Sequence, residues 1–193
     1  GGTGAVEADP GETALAATGR FLPPGLIDGH VHLAQYPGLP LPVPEARDLS
    51  PDDISSVVAY DGHVGVMWSD QPDGAMYWAS APAGATAESV WSVTAAIQGP
   101  GLADDHMNLK ALQDDPAGVV AAAVKTSRND VPNPSPADPL ILILVLDADG
   151  TWARHVVSTV RENETRPLLI VDAEHRRLHV VTSAPCCSGG TIY

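Results

Sequence analysis

Cations, cysteines and long apolar runs are all scarce in this sequence. Ten lysines and arginines face 24 aspartates and glutamates, for a net charge of −14. The few cations are spread along the chain, which argues against nucleic acid and anionic membrane surfaces, since both need clustered positive charge. Acidity of this degree serves solubility. The two cysteines, Cys186 and Cys187, are neighbours. Adjacent thiols close no loop, so no disulfide framework is expected, and without a CxxC pair neither is a thiolate zinc site. No apolar stretch approaches the roughly 18 residues of a membrane span, and residues 140–146 have only the length of a buried strand. A basic flank followed by an apolar segment, the mark of a signal peptide, is also missing at the start.

What is abundant points to strands and turns. A chain of 193 residues with 44% hydrophobic residues can bury a core, and its 18 glycines and 18 prolines favour many turns over long helices. Residues 107–113, 119–126, 140–146 and 152–157 are four short apolar segments, each closed by turn residues such as Asp147-Ala148-Asp149-Gly150. That pattern predicts a four-stranded antiparallel meander. An earlier copy has the same order at 55–60, 63–69, 75–80 and 91–97, with turns at Asp61-Gly62 and Pro72-Asp73-Gly74. A later copy runs through 166–171 and 178–183, with Thr191-Ile192-Tyr193 in the third-strand position. Ser69 to Ser127, Ser127 to Ser183 and Trp91 to Trp152 are three spacings of nearly one length, about 60 residues.

Repeats of four strands predict an all-β fold. The expected form is an incomplete β-propeller of about two and a half four-stranded blades, at residues 54–98, 106–159 and 165–193. A sandwich with Greek-key connections is the rival arrangement. Apolar residues of the last copy, Leu168, Ile170, Leu178 and Val180, are expected to stay partly exposed and to favour self-association.

The first 35 residues read differently. The run Pro24-Gly25-Leu26-Ile27-Asp28-Gly29-His30-Val31-His32-Leu33 resembles the metal-binding motif of the amidohydrolase superfamily, and residues 9–21 are similar to the short β segment that leads into it. The resemblance implies that His30 and His32 end a barrel strand and bind a catalytic metal, zinc or another divalent cation. Alternation along a strand does put both imidazoles on one face, where they can share a cation. The resemblance covers about residues 5–40 and then stops. A barrel needs roughly 250 residues, and the family's later ligands have no motif here to receive them. His30 and His32 are therefore not expected to complete a metal centre. Residues 36–53 form a proline-rich linker with an extended path.

Within the repeat there is a looser similarity to sialidase-like propellers of secreted bacterial proteins. Residues 146–152 keep the turn and the Thr-Trp end of their hairpin motif but lack its serine and spacing. No catalytic set of that family can be placed. Acidic groups precede the first strand of each copy: Asp52 and Asp53, then Asp104, Asp105 and His106, then Glu164. In a propeller these would converge near the channel mouth, where carboxylates can hold a cation or act as acid and base; solvated loop acids are the plainer alternative. Trp68, Trp78, Trp91 and Trp152 fall in or beside strands, which makes them packing residues first and a sugar-stacking platform second.

Two functional classes follow. One is a catalytically incomplete propeller that binds a glycan, small molecule or other extracellular ligand. The other is a metal-dependent amidohydrolase cleaving C–N or ester bonds, of which only the first metal-ligand strand is present. The propeller part suggests a secreted protein and the amidohydrolase-like part a cytoplasmic one.

Overall fold

Asp61-Gly62 shows how local chemistry starts the fold. Both residues have positive φ, 39° and 68°, the geometry of a two-residue type I′ turn, whose twist matches that of antiparallel strands. It joins β1 (Ser55–Tyr60) to β2 (His63–Asp70), with Tyr60 opposite His63. The computed structural model describes residues 49–85, 89–112, 118–185 and 191–193. In these, β3 (Ala75–Pro82) and β4 (Ser92–Gln98) complete the first sheet. β5 (Met107–Ala111), β6 (Val120–Lys125), β7 (Pro139–Leu146) and β8 (Trp152–Thr159) make the second. β9 (Thr165–Asp172), β10 (Arg177–Ala184) and β11 (Thr191–Ile192) make the third. Among the described residues no helix is long and apolar enough to cross a membrane. The amidohydrolase-like segment with His30 and His32, most of the proline-rich linker, and Cys186-Cys187 lie outside the described residues.

The fold is thus all-β, with three small antiparallel sheets of four, four and three strands. Within each sheet every strand pairs with its neighbour in sequence, so the Greek-key order of the rival sandwich is not present. The described strands close no barrel or ring, as an incomplete repeat would leave them. β5 lies against β1 on one side and β9 on the other.

Registers reveal how alike the first two sheets are. Ser69 N–H donates to Ile54 O at 2.9 Å, and Lys125 N–H to His106 O at 3.0 Å. Ser69 therefore corresponds to Lys125, not to Ser127 as the spacing of serines suggests; serine identity is a poor marker at a position where the two copies differ. Carrying the pairing outward, Tyr77 corresponds to Leu142. A bulge interrupts β3–β4 between Met76 and Tyr77 and β7–β8 between Ile141 and Leu142, which are corresponding places. Ser92 then matches Ala153, and the residues just before them are Trp91 and Trp152.

Strand alternation gives each sheet two apolar faces. Met67, Met76, Trp78 and Ile97 of the first sheet pack against Met107, Leu109, Val120, Leu142 and Leu144 of the second. The opposite face of the first sheet carries Trp68, Ala75, Tyr77 and Ala79, with Leu49, Trp91 and Val93 against it. The far face of the second sheet offers Ala121 and Ala123, small enough to let Leu169, Leu178 and Val180 of the third sheet approach. In the third sheet Leu178 and Val180 pack against the second sheet but stay partly exposed, and Leu168 and Ile170, on the other face, are 55% and 54% exposed, as expected for the last copy.

Trp78 locks the first two sheets. Its ring meets Trp152 edge-on, with centroids 5.4 Å apart at 77°, and Tyr60 at 5.6 Å. The room for it comes from Gly65, where any Cβ would overlap the Trp78 six-membered ring. Gly65→Ala should therefore lower stability by about 2–3 kcal/mol through overpacking, read as a fall in the urea midpoint. An unchanged midpoint would mean that Trp78 can move aside at no cost.

Candidate metal cluster at the start of β5

The approach to β5 is pinned by backbone bonds. Leu102 N–H donates to Gly99 O and Ser127 N–H to Gly101 O, both at 3.1 Å, and Ala103 is fully buried. Lys125 N–H on His106 O then ties the residue before β5 to the end of β6. These constraints gather Asp104, Asp105 and His106, whose ligand atoms all lie within 4.8 Å of one another. His106 Nδ1 is 2.6 Å from Asp104 Oδ1 and 2.6 Å from Asp105 Oδ1. Lys125, only 3% exposed at the end of an apolar strand, donates from its ammonium to Asp104 Oδ2. Asp130 Oδ2 stands 3.9 Å from the same ammonium.

The two carboxyls have opposite electrostatics. Burial by itself would raise Asp104, but hydrogen bonds with His106 and Asp105 and the Lys125 charge outweigh it and hold the pKa at about 2. Asp105 is pushed up to about 6 by burial, by its hydrogen bond to Asp104, and by repulsion from Asp104 and Asp52, against the attraction of His106. Of the two, Asp105 is therefore the carboxyl that takes up a proton first as the solution is acidified. Two carboxyls, one ammonium and the nearby Asp52 leave excess negative charge when Asp105 ionises.

The other sequence candidates fall into distinct roles. Asp52 is exposed, and its charge reaches Asp105. Asp53 is buried and engaged: it accepts hydrogen bonds from Ser50 N at 2.6 Å, Ser69 Oγ at 2.9 Å and Gln71 N at 3.1 Å. Ser69 Oγ in turn accepts from Ile54 N at 2.9 Å. These bonds fix the loop ahead of β1. Glu164 is half-buried just before β9. Trp68 and Trp78 are buried in sheet packing, and Trp91 and Trp152 pack on the same clusters. Lys125 is the participant that strand patterning does not flag; its signal is a lone ammonium closing the run Val119 to Val124. At the opposite end of β5 a cleft of about 140 Å³ opens between Leu112, Val119, Val171 and Leu178, with Arg176 and Arg177 at its rim.

No protein family matches the chain, and neither the curated proteins nor the solved structures hold a match to it.

Two measurements probe the cluster. Lys125→Met leaves Asp104 buried without its counter-charge, at a cost of about 3–5 kcal/mol in urea unfolding at neutral pH, and adding Asp104→Asn should recover part of it. The second concerns pH. A raised folded-state pKa means the fold disfavours ionised Asp105, so the penalty is absent below the usual 3.8 and grows as pH climbs to about 6. Asp105→Asn should therefore match the wild type near the lower value and become the more stable of the two above the higher one. Parallel stability curves across that window would show that Asp105 is not under strain.

Proposed function

We propose that the chain is a cation-dependent β-sheet module, its sheets being blades of an incomplete propeller, in which Asp104, Asp105 and His106 hold a divalent metal. One observation carries this reading: three donors from consecutive residues meet within 4.8 Å at a pinned strand start. The donor chemistry fits. Two carboxylate oxygens and one imidazole suit zinc or manganese, and three protein ligands leave room for a water. The uncompensated charge that raises Asp105 is the charge a cation would neutralise.

Hydrolysis of an ester or amide is the reaction such a centre supports best. A bound divalent metal supplies a water acidified towards neutral pH. The chain's own residues supply the rest. Lys125 holds Asp104 by one oxygen and leaves the other facing His106. The His106 carbonyl, bonded to Lys125 N–H, fixes the backbone from which the imidazole projects. Asp105, half-buried, loses its proton when a cation arrives. The same reaction class is implied by the resemblance of residues 24–33. A glycan-binding surface has less support, because the tryptophans it would use serve sheet packing.

Calorimetric titration with zinc and with manganese tests the metal claim. One equivalent should bind to the wild type, and His106→Ala or Asp105→Asn should abolish it. Retention of binding in both variants would refute the site. A chromogenic aryl ester then tests the reaction: binding without metal-dependent turnover would reject hydrolysis and keep the cation-binding module.

A further inference from the structure

A second group of metal-ligating side chains sits far along the chain, on the hairpin between β9 and β10, and is independent of the cluster at β5. Asp172 ends β9. Its Oδ1 accepts the His175 backbone N–H at 3.0 Å, a local turn bond that fixes both the carboxylate and the chain at His175. Its Oδ2 is left facing two imidazoles: His175 Nδ1 at 2.8 Å and His179 Nε2 at 3.9 Å. The register explains the second contact. Ile170 pairs with His179 and Asp172 with Arg177, so Asp172 and His179 are diagonal neighbours on one face of the sheet. That face is the exposed one, with Leu168 and Ile170 beside it.

We propose that Asp172, His175 and His179 form a metal site for a borderline divalent cation such as zinc, bound through one carboxylate oxygen and two imidazole nitrogens. Metal–ligand bonds of about 2.0–2.1 Å at tetrahedral angles place ligand atoms roughly 3.3 Å apart. The two distances to Asp172 Oδ2, 2.8 and 3.9 Å, straddle that spacing, while the two imidazole nitrogens stand more than 4.8 Å apart and must close on the ion. Both imidazole side chains are more than half exposed, 61% and 52%, so they can rotate towards a shared ion without disturbing the core. Two nitrogen donors select zinc, nickel or copper over magnesium and calcium, which prefer oxygen. Arg176 and Arg177 oppose a cation here and Glu174 favours it; binding therefore depends on the coordinate bonds more than on net charge.

The test follows individual histidines. Imidazole Cε1–H resonances of the full-length chain are recorded during titration with zinc chloride, then with magnesium chloride. Zinc should shift the His175 and His179 signals together and at one stoichiometry, and magnesium should leave them in place. His179→Ala should weaken the zinc response of His175 about tenfold or more while leaving the metal-free melting temperature unchanged, since the side chain is exposed. A His106→Ala chain should respond at the hairpin as the wild type does, which separates this site from the one at β5. Zinc that moves neither hairpin resonance, or a His179→Ala chain that titrates like the wild type at His175, would overturn the proposal and leave Asp172–His175 as a turn hydrogen bond alone.

Discussion

A four-stranded antiparallel sheet has two faces, and in this chain both are apolar, so each must be covered from outside the sheet. That single constraint orders the rest. Met67 and Trp78 need the second sheet, Ala121 and Ala123 need the third, and the spacing between sheets is set by Gly65 under Trp78 and by the small alanines under Leu169. Stacking in this sense brings the first strands β1, β5 and β9 side by side. The loops that enter them are then crowded together as well. Asp52 comes to repel Asp105 although the two lie 53 positions apart in the chain, with a complete sheet and its exit loop between them.

The two matched strand starts show one scaffold position used for two chemistries. Where Ser69 stands in the first sheet, a hydroxyl relays between the Ile54 N–H and the Asp53 carboxylate, and the remaining lone pairs of Asp53 are met by backbone N–H groups. That arrangement is saturated and has a structural role. Where Lys125 stands in the second sheet, an ammonium meets Asp104, and the neighbouring carboxyl is left with a histidine and two repelling acids. An ion pair buried to this degree contributes little net stability, since desolvation offsets most of the attraction. Its consequence is electrostatic: it holds Asp104 ionised beside a carboxyl that ionises only as the pH rises to about 6.

Much of the architecture was legible in the sequence because it rests on local chemistry. Asp61-Gly62 specifies a type I′ turn by itself, and a short apolar run closed by turn residues, such as Leu140 to Leu146 before Asp147-Ala148-Asp149-Gly150, marks a strand without reference to the rest of the chain. The bulges after Met76 and Ile141 were not legible, since a bulge depends on cross-strand register. The same is true of Lys125: at the end of an apolar run it reads as a strand terminus, and only tertiary packing sets it on Asp104. The acids ahead of each first strand were visible as candidates, but their division into a saturated Asp53 and an unsaturated Asp105 is decided by partners 16 and 21 residues away. The nearness of His179 to Asp172 is likewise invisible in the sequence, because the two are diagonal neighbours, a relation fixed by pairing register.

The two donor clusters differ in what limits a cation. At β5 the ligands are preorganised and partly buried, but the Lys125 ammonium already compensates Asp104, and a proton holds Asp105 up to about pH 6. An entering ion gains chiefly from the second carboxylate and must displace its proton, so affinity there is governed by charge and falls as the solution is acidified. On the β9–β10 hairpin the Asp172 carboxyl is held below its ordinary value, the His175 backbone N–H being the first cause. The exposed setting screens the charge. For the ion proposed at the hairpin, affinity would then rest on the nitrogen–metal bonds more than on charge.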